Sequence, residues 1–158
     1  MKTQFRAPWD GMLIMITTVI VLILVGLDYF NEGWISTVIS WSIIFGSAAF
    51  GVYGYSLQDG QLRILRLGWS KDIEFSEIKS VELKPDAMMG SFRKWGIGGF
   101  FSYLGYFSNR ILGDYKAYAT HRKRTVLITT TKNDQIVVTP DNPEEFVVCL
   151  EKARSDHS

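Results

Sequence analysis

Residues 115–146, YKAYATHRKRTVLITTTKNDQIVVTPDNPEEF, decide the fold class. YKAYAT, TVLITTT and QIVVT are short runs rich in β-branched and aromatic residues, separated by a basic turn and by the turn KND. That pattern reads as three consecutive strands. A helix start follows. Asn142 is a good N-cap, Pro143 takes the first helical position where its missing N–H costs nothing, and Glu144 and Glu145 favour the positive helix end. Phe146, Cys149, Leu150 and Ala153 then recur at helical spacing and form one apolar face. A lone helix with such a face, arriving after strands, is expected to plug an open edge or end of their sheet.

Toward the N-terminus the strand pattern continues. YSLQ, the dipeptide Asp59-Gly60 and QLRILRL read as a hairpin, because Asp-Gly tolerates the positive φ angles of a two-residue turn. Gly68 to Ser70 turn the chain into KDIEF, and SEIKSVELK gives a fourth strand that Pro85 ends. Seven strands and one C-terminal helix are therefore expected over residues 53–154, an α+β domain, with a polar tail at 155–158.

Residues 1–58 are a different material. They carry only Lys2, Arg6, Asp10, Asp28 and Glu32 as charges, whereas residues 59–158 hold 15 Lys and Arg and 13 Asp and Glu. Between Asp10 and Asp28 lie only uncharged residues, GMLIMITTVIVLILVGL, flanked by Trp9 on one side and Tyr29 and Phe30 on the other. A transmembrane helix over about 11–27 is expected, with those rings at the two membrane surfaces. A second is expected over 34–52, so residues 1–58 form a hairpin anchor joined by the short loop DYFNEG. Ser36, Ser40, Ser47, Gly51 and Gly54 would let another helix approach the second span closely. A secretory signal fits less well, because the first run ends in VGLDYF, without a small-x-small cleavage site, and a second apolar run follows at once. Lys2 and Arg6 before the hairpin and Arg63, Arg66 and Lys71 after it, with no Lys or Arg in the loop, place both termini in the cytoplasm of a two-span membrane protein.

At this point the chain resembles the bacterial PH domain family. The resemblance rests on GYFSNRILGDYKAYAT, the strand pair TVLITT and QIVVTP, DNPEEF, and the preceding DG hairpin with IEFSEIKSVE; it covers roughly residues 53–153. It implies a PH-like seven-stranded β-barrel or sandwich with a C-terminal helix, often joined to transmembrane helices. It implies no enzymatic activity and no catalytic residues.

The residues themselves point the same way. GIGG at 96–99 fails as a dinucleotide loop, since GxGxxG from Gly96 would need glycine at Phe101. No Walker A sequence, GxSxG elbow or HExxH is present. His121 sits in a turn beside Arg122, Lys123 and Arg124, which push its pKa down, and His157 lies in the polar tail. Cys149 has no cysteine partner for a disulfide and no ligand set at zinc spacing, so it reads as a small buried hydrophobe. No catalytic residue, cofactor or metal is expected.

Two features remain. The excursion from Asp86 to Asp114 exceeds an ordinary loop, and WGIGGFFSYLGYF packs rings between glycines. Its rings either cover the barrel mouth and complete a small core or, with Trp95, Phe100, Phe101 and Tyr103, dip into the membrane interface. Arg93, Lys94, Arg110, Lys116, Arg122, Lys123 and Arg124 are the candidate contacts for anionic headgroups, against only Asp86 and Asp114 over residues 85–124. A solvated charge run is the commoner fate of such residues. Nucleic acid fits poorly, because the domain is near neutral and has no basic recognition helix. The expected function is a non-enzymatic, membrane-anchored interaction module that binds a protein partner or a second copy of itself. The alternatives are a lipid-headgroup binder and an accessory subunit of a transporter or envelope enzyme.

Overall fold

The structure is a computed structural model and describes residues 3–30 and 33–156. In chain order it contains strand β1 (Gln4–Arg6), helices α1 (Gly11–Phe30) and α2 (Trp34–Phe50), strands β2 (Val52–Gln58), β3 (Gln61–Arg66) and β4 (Ser70–Glu74), and a 3₁₀ turn (Phe75–Glu77). Strands β5 (Ile78–Leu83), β6 (Phe92–Phe100), β7 (Ser102–Asn109), β8 (Gly113–Ala119), β9 (Val126–Thr130) and β10 (Gln135–Val138) follow, and helix α3 (Pro143–Ser155) closes the chain. The strands form two sheets, ordered β1-β2-β3-β4 and β5-β9-β10-β8-β7-β6.

The described residues hold ten strands rather than seven. β1 lies in the segment expected to be anchor only, yet Gln4, Phe5 and Arg6 pair with Ser56, Tyr55 and Gly54. Three residues are too short to show a period. β6 and β7 are the excursion, folded as a hairpin from Phe92–Ser108 to Phe100–Ser102. Its glycines hid it, because glycine depresses the strand signal. Gly96 and Gly105 face each other with φ of +110° and +127°, and a Cβ on either would stand 2.2 Å from a carbonyl oxygen of the opposite strand. The backbones approach more closely than any side chain permits. The Asp59-Gly60 turn is as the sequence implies, both residues having positive φ.

Two apolar layers pack on the six-stranded sheet. Its inner face meets the four-stranded sheet through Leu62, Ile64, Val126, Ile128 and Val138, all fully buried. Tyr55 joins the sheets: its hydroxyl donates to the Tyr118 carbonyl at 2.6 Å and accepts the Thr139 N–H at 3.0 Å. Burial pushes its pKa up to about 12. Helix α3 closes one end, with Asn142 accepting the Glu145 N–H and the buried Phe146 ring meeting Phe5 edge-on at 5.1 Å. The N-terminal strand and C-terminal helix therefore seal the same layer. On the outer face, Ala87 and Met88 cover Phe107 and Tyr115, and Leu13 of α1 is fully buried in the same cluster.

Helices α1 and α2 pack against each other through a polar link, the Ser40 hydroxyl donating to Asp28 at 3.0 Å. α1 runs through Asp28, Tyr29 and Phe30, which the sequence put in the loop; residues 31 and 32 of that loop lie outside the described residues, as does His157 of the tail. α2 ends at Phe50 because Gly51 turns extended and Val52 already pairs in β2. Of the expected small-residue stripe, Ser40 faces α1, whereas Gly54 serves β1, since a Cβ there would stand 2.6 Å from the Phe5 carbonyl oxygen. Outward, Met15, Leu22, Ile23, Ile35 and Phe45 are each more than half exposed. α1 is long and apolar enough to cross a membrane; α2, expected as a second span over 34–52, is a shorter apolar helix of 17 residues.

Candidate functional site

Everything at one end of the domain is organised around the start of α1. Asp10 caps that helix, one carboxylate oxygen accepting the Leu13 N–H at 2.7 Å. The other oxygen accepts the Arg122 N–H at 3.0 Å, and the Asp10 N–H itself donates to the Thr120 carbonyl. The basic turn between β8 and β9 is thus bonded by its backbone to the first turn of the apolar helix. The Tyr103 hydroxyl adds a 3.3 Å bond to Asp10, and the Arg122 guanidinium lies 5.0 Å over the Tyr103 ring. Burial, then the Asp10 charge, push the Tyr103 pKa up to about 12, with Arg122 opposing.

The β6–β7 hairpin reaches the same helix. Phe101 at its tip has a φ of +63°, a strained conformation for a bulky residue. Thr17 holds it: the Phe101 N–H donates to the Thr17 hydroxyl at 3.1 Å, and that hydroxyl lies 3.5 Å from the Gly99 carbonyl. Gly99 leaves room for Ile16, whose Cδ1 would stand 3.1 Å from a Cβ. The tip therefore supplies the polar partner that a buried threonine on an apolar helix requires.

Around these bonds lies a rim of aromatic side chains. Phe101 meets Trp9 at 5.8 Å and Phe100 at 4.8 Å, and Phe50 at the end of α2 meets Trp69 at 4.8 Å. Leu67 and Trp69, in the β3–β4 turn, are 61% and 44% exposed. These two were missed on sequence. Their signal was legible, since a turn reading Leu-Gly-Trp exposes apolar residues where polar ones are usual.

The seven candidate cations do not form one patch. Arg122 and Lys123 flank Asp10 and Met12 at the rim, and the Arg124 guanidinium turns to the Asp141 carbonyl at 3.3 Å. Arg93 folds back onto the Gly96 carbonyl at 2.9 Å, and Lys94 is paired with Asp114 at 2.6 Å. Arg110 sits in the β7–β8 turn, at the opposite end of those strands from the rim. Lys116 points between the sheets, 3.6 Å from Asp134. Among the aromatic candidates, Phe100 and Phe101 are half-buried against α1, Trp95 is 78% exposed on the hairpin, and Tyr103 is fully buried.

His121 belongs to the same turn. Its pKa is lowered chiefly by burial, with Arg124 and Lys123 adding to the effect and Asp10 opposing it. Its Nδ1 accepts the Lys123 N–H at 3.1 Å, which suits the neutral ring. Among the described residues no group of three or more His, Cys, Asp and Glu side chains could hold a metal ion.

No curated protein and no solved structure matches the chain. The family described as Bacterial PH domain matches residues 53–154, more than half of the chain and the span from β2 to the last turn of α3. The chain belongs to the bacterial PH domain family.

Proposed function

We propose that this chain is a non-enzymatic interaction module anchored by α1 and α2 in the cytoplasmic membrane, with both termini in the cytoplasm and the α1 end of its domain seated in the membrane surface. The observation that carries the reading is the docking of the hairpin tip on Thr17. α1 rises about 30 Å over its 20 residues, close to the thickness of the hydrocarbon layer. The tip meets the helix six residues after Gly11, about 9 Å along it. A spanning α1 therefore sets Trp9 in the interfacial layer, where aromatic rings are favoured, and draws Phe100 and Phe101 below it to the edge of the hydrocarbon. α2, antiparallel and apolar on its outer face, returns as the second pass, about 26 Å long.

Seated this way, the domain turns its opposite end, with the β2–β3 and β9–β10 turns, toward the cytoplasm. That end is free to meet a protein partner, a second copy, or a larger membrane complex. Photocrosslinking from Asn133 in intact membranes tests the reading: a defined partner or a self-crosslink supports it. A reporter fused after Ser158 that behaves as external overturns the orientation.

A second reading follows from the bond that the Arg122 backbone N–H donates to the Asp10 carboxylate. It fixes Arg122 and Lys123 beside the entry point of α1, where each cation contributes about 1 kcal/mol toward anionic headgroups. Headgroup contact then adds to the anchor rather than replacing it.

A further inference from the structure

We propose that the cleft between the two sheets binds an amphipathic organic anion, a carboxylate or phosphate carried on an apolar or aromatic body. The cleft is about 450 Å³ and lies between β3–β4 and the inner face of β7, β8 and β10. That volume is in the range of small-molecule sites. Its charges break the core pattern. Along β3 the inward positions are Leu62, Ile64 and Arg66, the first two fully buried. Lys71 is the register partner of Ile64 and so shares its face. On the facing sheet, Lys116 stands in register between Tyr106 and Ile136.

Three cations thus take inward positions that this sandwich elsewhere gives to Leu, Ile and Val. Lys71 has another explanation, because β4 is an edge strand and an inward lysine discourages strand addition. Arg66 and Lys116 lie on interior strands, where that reason fails. Arg66 carries the argument furthest. Its guanidinium lies 5.1 Å over the Tyr118 ring, and its Nε is buried with no hydrogen-bond partner among the described residues. A buried N–H of a charged group left unpaired is costly, and an anionic acceptor removes that cost. Lys116 lies 5.5 Å over the Tyr106 ring and only partly neutralised by Asp134 at 3.6 Å. Counting Lys132 and Glu77, the lining has four cations against two carboxylates. The two tyrosine faces with Leu104 and Ile73 supply the wall for the ligand's body.

The Arg66 backbone N–H donates to the Trp69 carbonyl and Phe50 lines the cleft, so this mouth opens beside the proposed membrane end. One chemistry then has two sources, a water-borne anion or the headgroup of an anionic lipid. The site stands independently of the membrane seating proposed above.

The test uses the full chain in phosphatidylcholine nanodiscs, with the isoleucine methyls observed by NMR. Phenyl phosphate should shift Ile73 and Ile136 and leave Ile128 in place; inorganic phosphate, lacking the body, and benzyl alcohol, lacking the charge, should each bind at least tenfold more weakly. Arg66→Gln and Lys116→Gln should each weaken phenyl phosphate at least tenfold, whereas Lys152→Gln, on the exposed face of α3, should not. An unmoved Ile128 methyl reports that each variant is folded. If phosphatidic acid in the nanodisc shifts the same methyls and phenyl phosphate does not, the anion comes from the bilayer and the proposal stands in that form. If neither moves them, or if only an acidic peptide does so while also shifting the β4 amides, the proposal is overturned and the cleft is not an organic-anion site.

Discussion

Asp10 and Arg122, 112 positions apart, are joined by a 3.0 Å bond from the Arg122 N–H to the carboxylate that also caps α1. One side chain thereby sets both where the apolar helix begins and where the basic turn sits. Asp10→Ala removes the cap and should cost roughly 0.5–2 kcal/mol. Asp10→Asn, which keeps an acceptor for Leu13, should cost less. Amide hydrogen exchange should accelerate at Arg122 as well as Leu13 in Asp10→Ala; acceleration at Leu13 alone would mean that the turn is held by something else.

The hairpin glycines make a sharper claim. Gly105→Ala forces a Cβ to 2.2 Å from the Trp95 carbonyl oxygen at a φ of +127°. Gly113→Ala also has positive φ, at +71°, but meets open space. The control should cost about 1–2 kcal/mol, the conformational term alone. Gly105→Ala should cost clearly more in thermal melts and should release the hairpin from α1. Equal losses would show that the close approach of the strands is not a constraint.

Helix α3 was fully legible. Asn142, Pro143, Glu144 and Glu145 occupy the roles their chemistry implies, and Phe146, Cys149, Leu150 and Ala153 are the buried residues of the helix. The α1 end of the domain was legible only in part. A period of two exposes strands whose faces differ, but β6 and β7 alternate glycine with rings, and the purpose of Gly96, Gly99 and Gly105 is visible only once their opposite backbones are in place. The cations illustrate the same limit. Sequence placed seven of them within forty residues, yet only the tertiary fold separates Arg122 and Lys123 at the rim from Arg110 at the far end and Lys116 inside the cleft. Arg66, whose buried Nε has no hydrogen-bond partner among the described residues, was read on sequence only as one of the cations that follow the hairpin.

Docking of α3 can be weighed directly. Leu150 is fully buried, and Leu150→Ala should cost roughly 2–5 kcal/mol. Lys152 is exposed, and Lys152→Ala should change stability by less than about 0.5 kcal/mol. Denaturant melts of the full chain in detergent that give equal effects would detach α3 from the sandwich.

His121 predicts a pH dependence. Its folded pKa lies below the ordinary value near 6.5, so the unfolded chain binds the proton more readily. The contribution is fully present above the unfolded pKa and is lost as pH falls from there through the folded pKa. His121→Asn keeps an acceptor for the Lys123 N–H and has no such titration. The variant should lose less stability than the parent on moving from pH 7.5 to pH 5; an equal or greater loss would place the acid sensitivity elsewhere.

The proposed seating of the α1 end in the membrane surface is the central claim, and spin-label accessibility measures it most directly. Cys149 is the single cysteine and is buried, so a Cys149→Ala background leaves introduced labels unambiguous. Labels are placed singly at Phe100, Lys123 and Lys132 of the full chain in nanodiscs. The account predicts that Phe100 is relaxed by oxygen and shielded from a water-soluble nickel complex, that Lys132 shows the reverse, and that Lys123 falls between them at headgroup depth. A Phe100 label as open to nickel as the Lys132 label would contradict it.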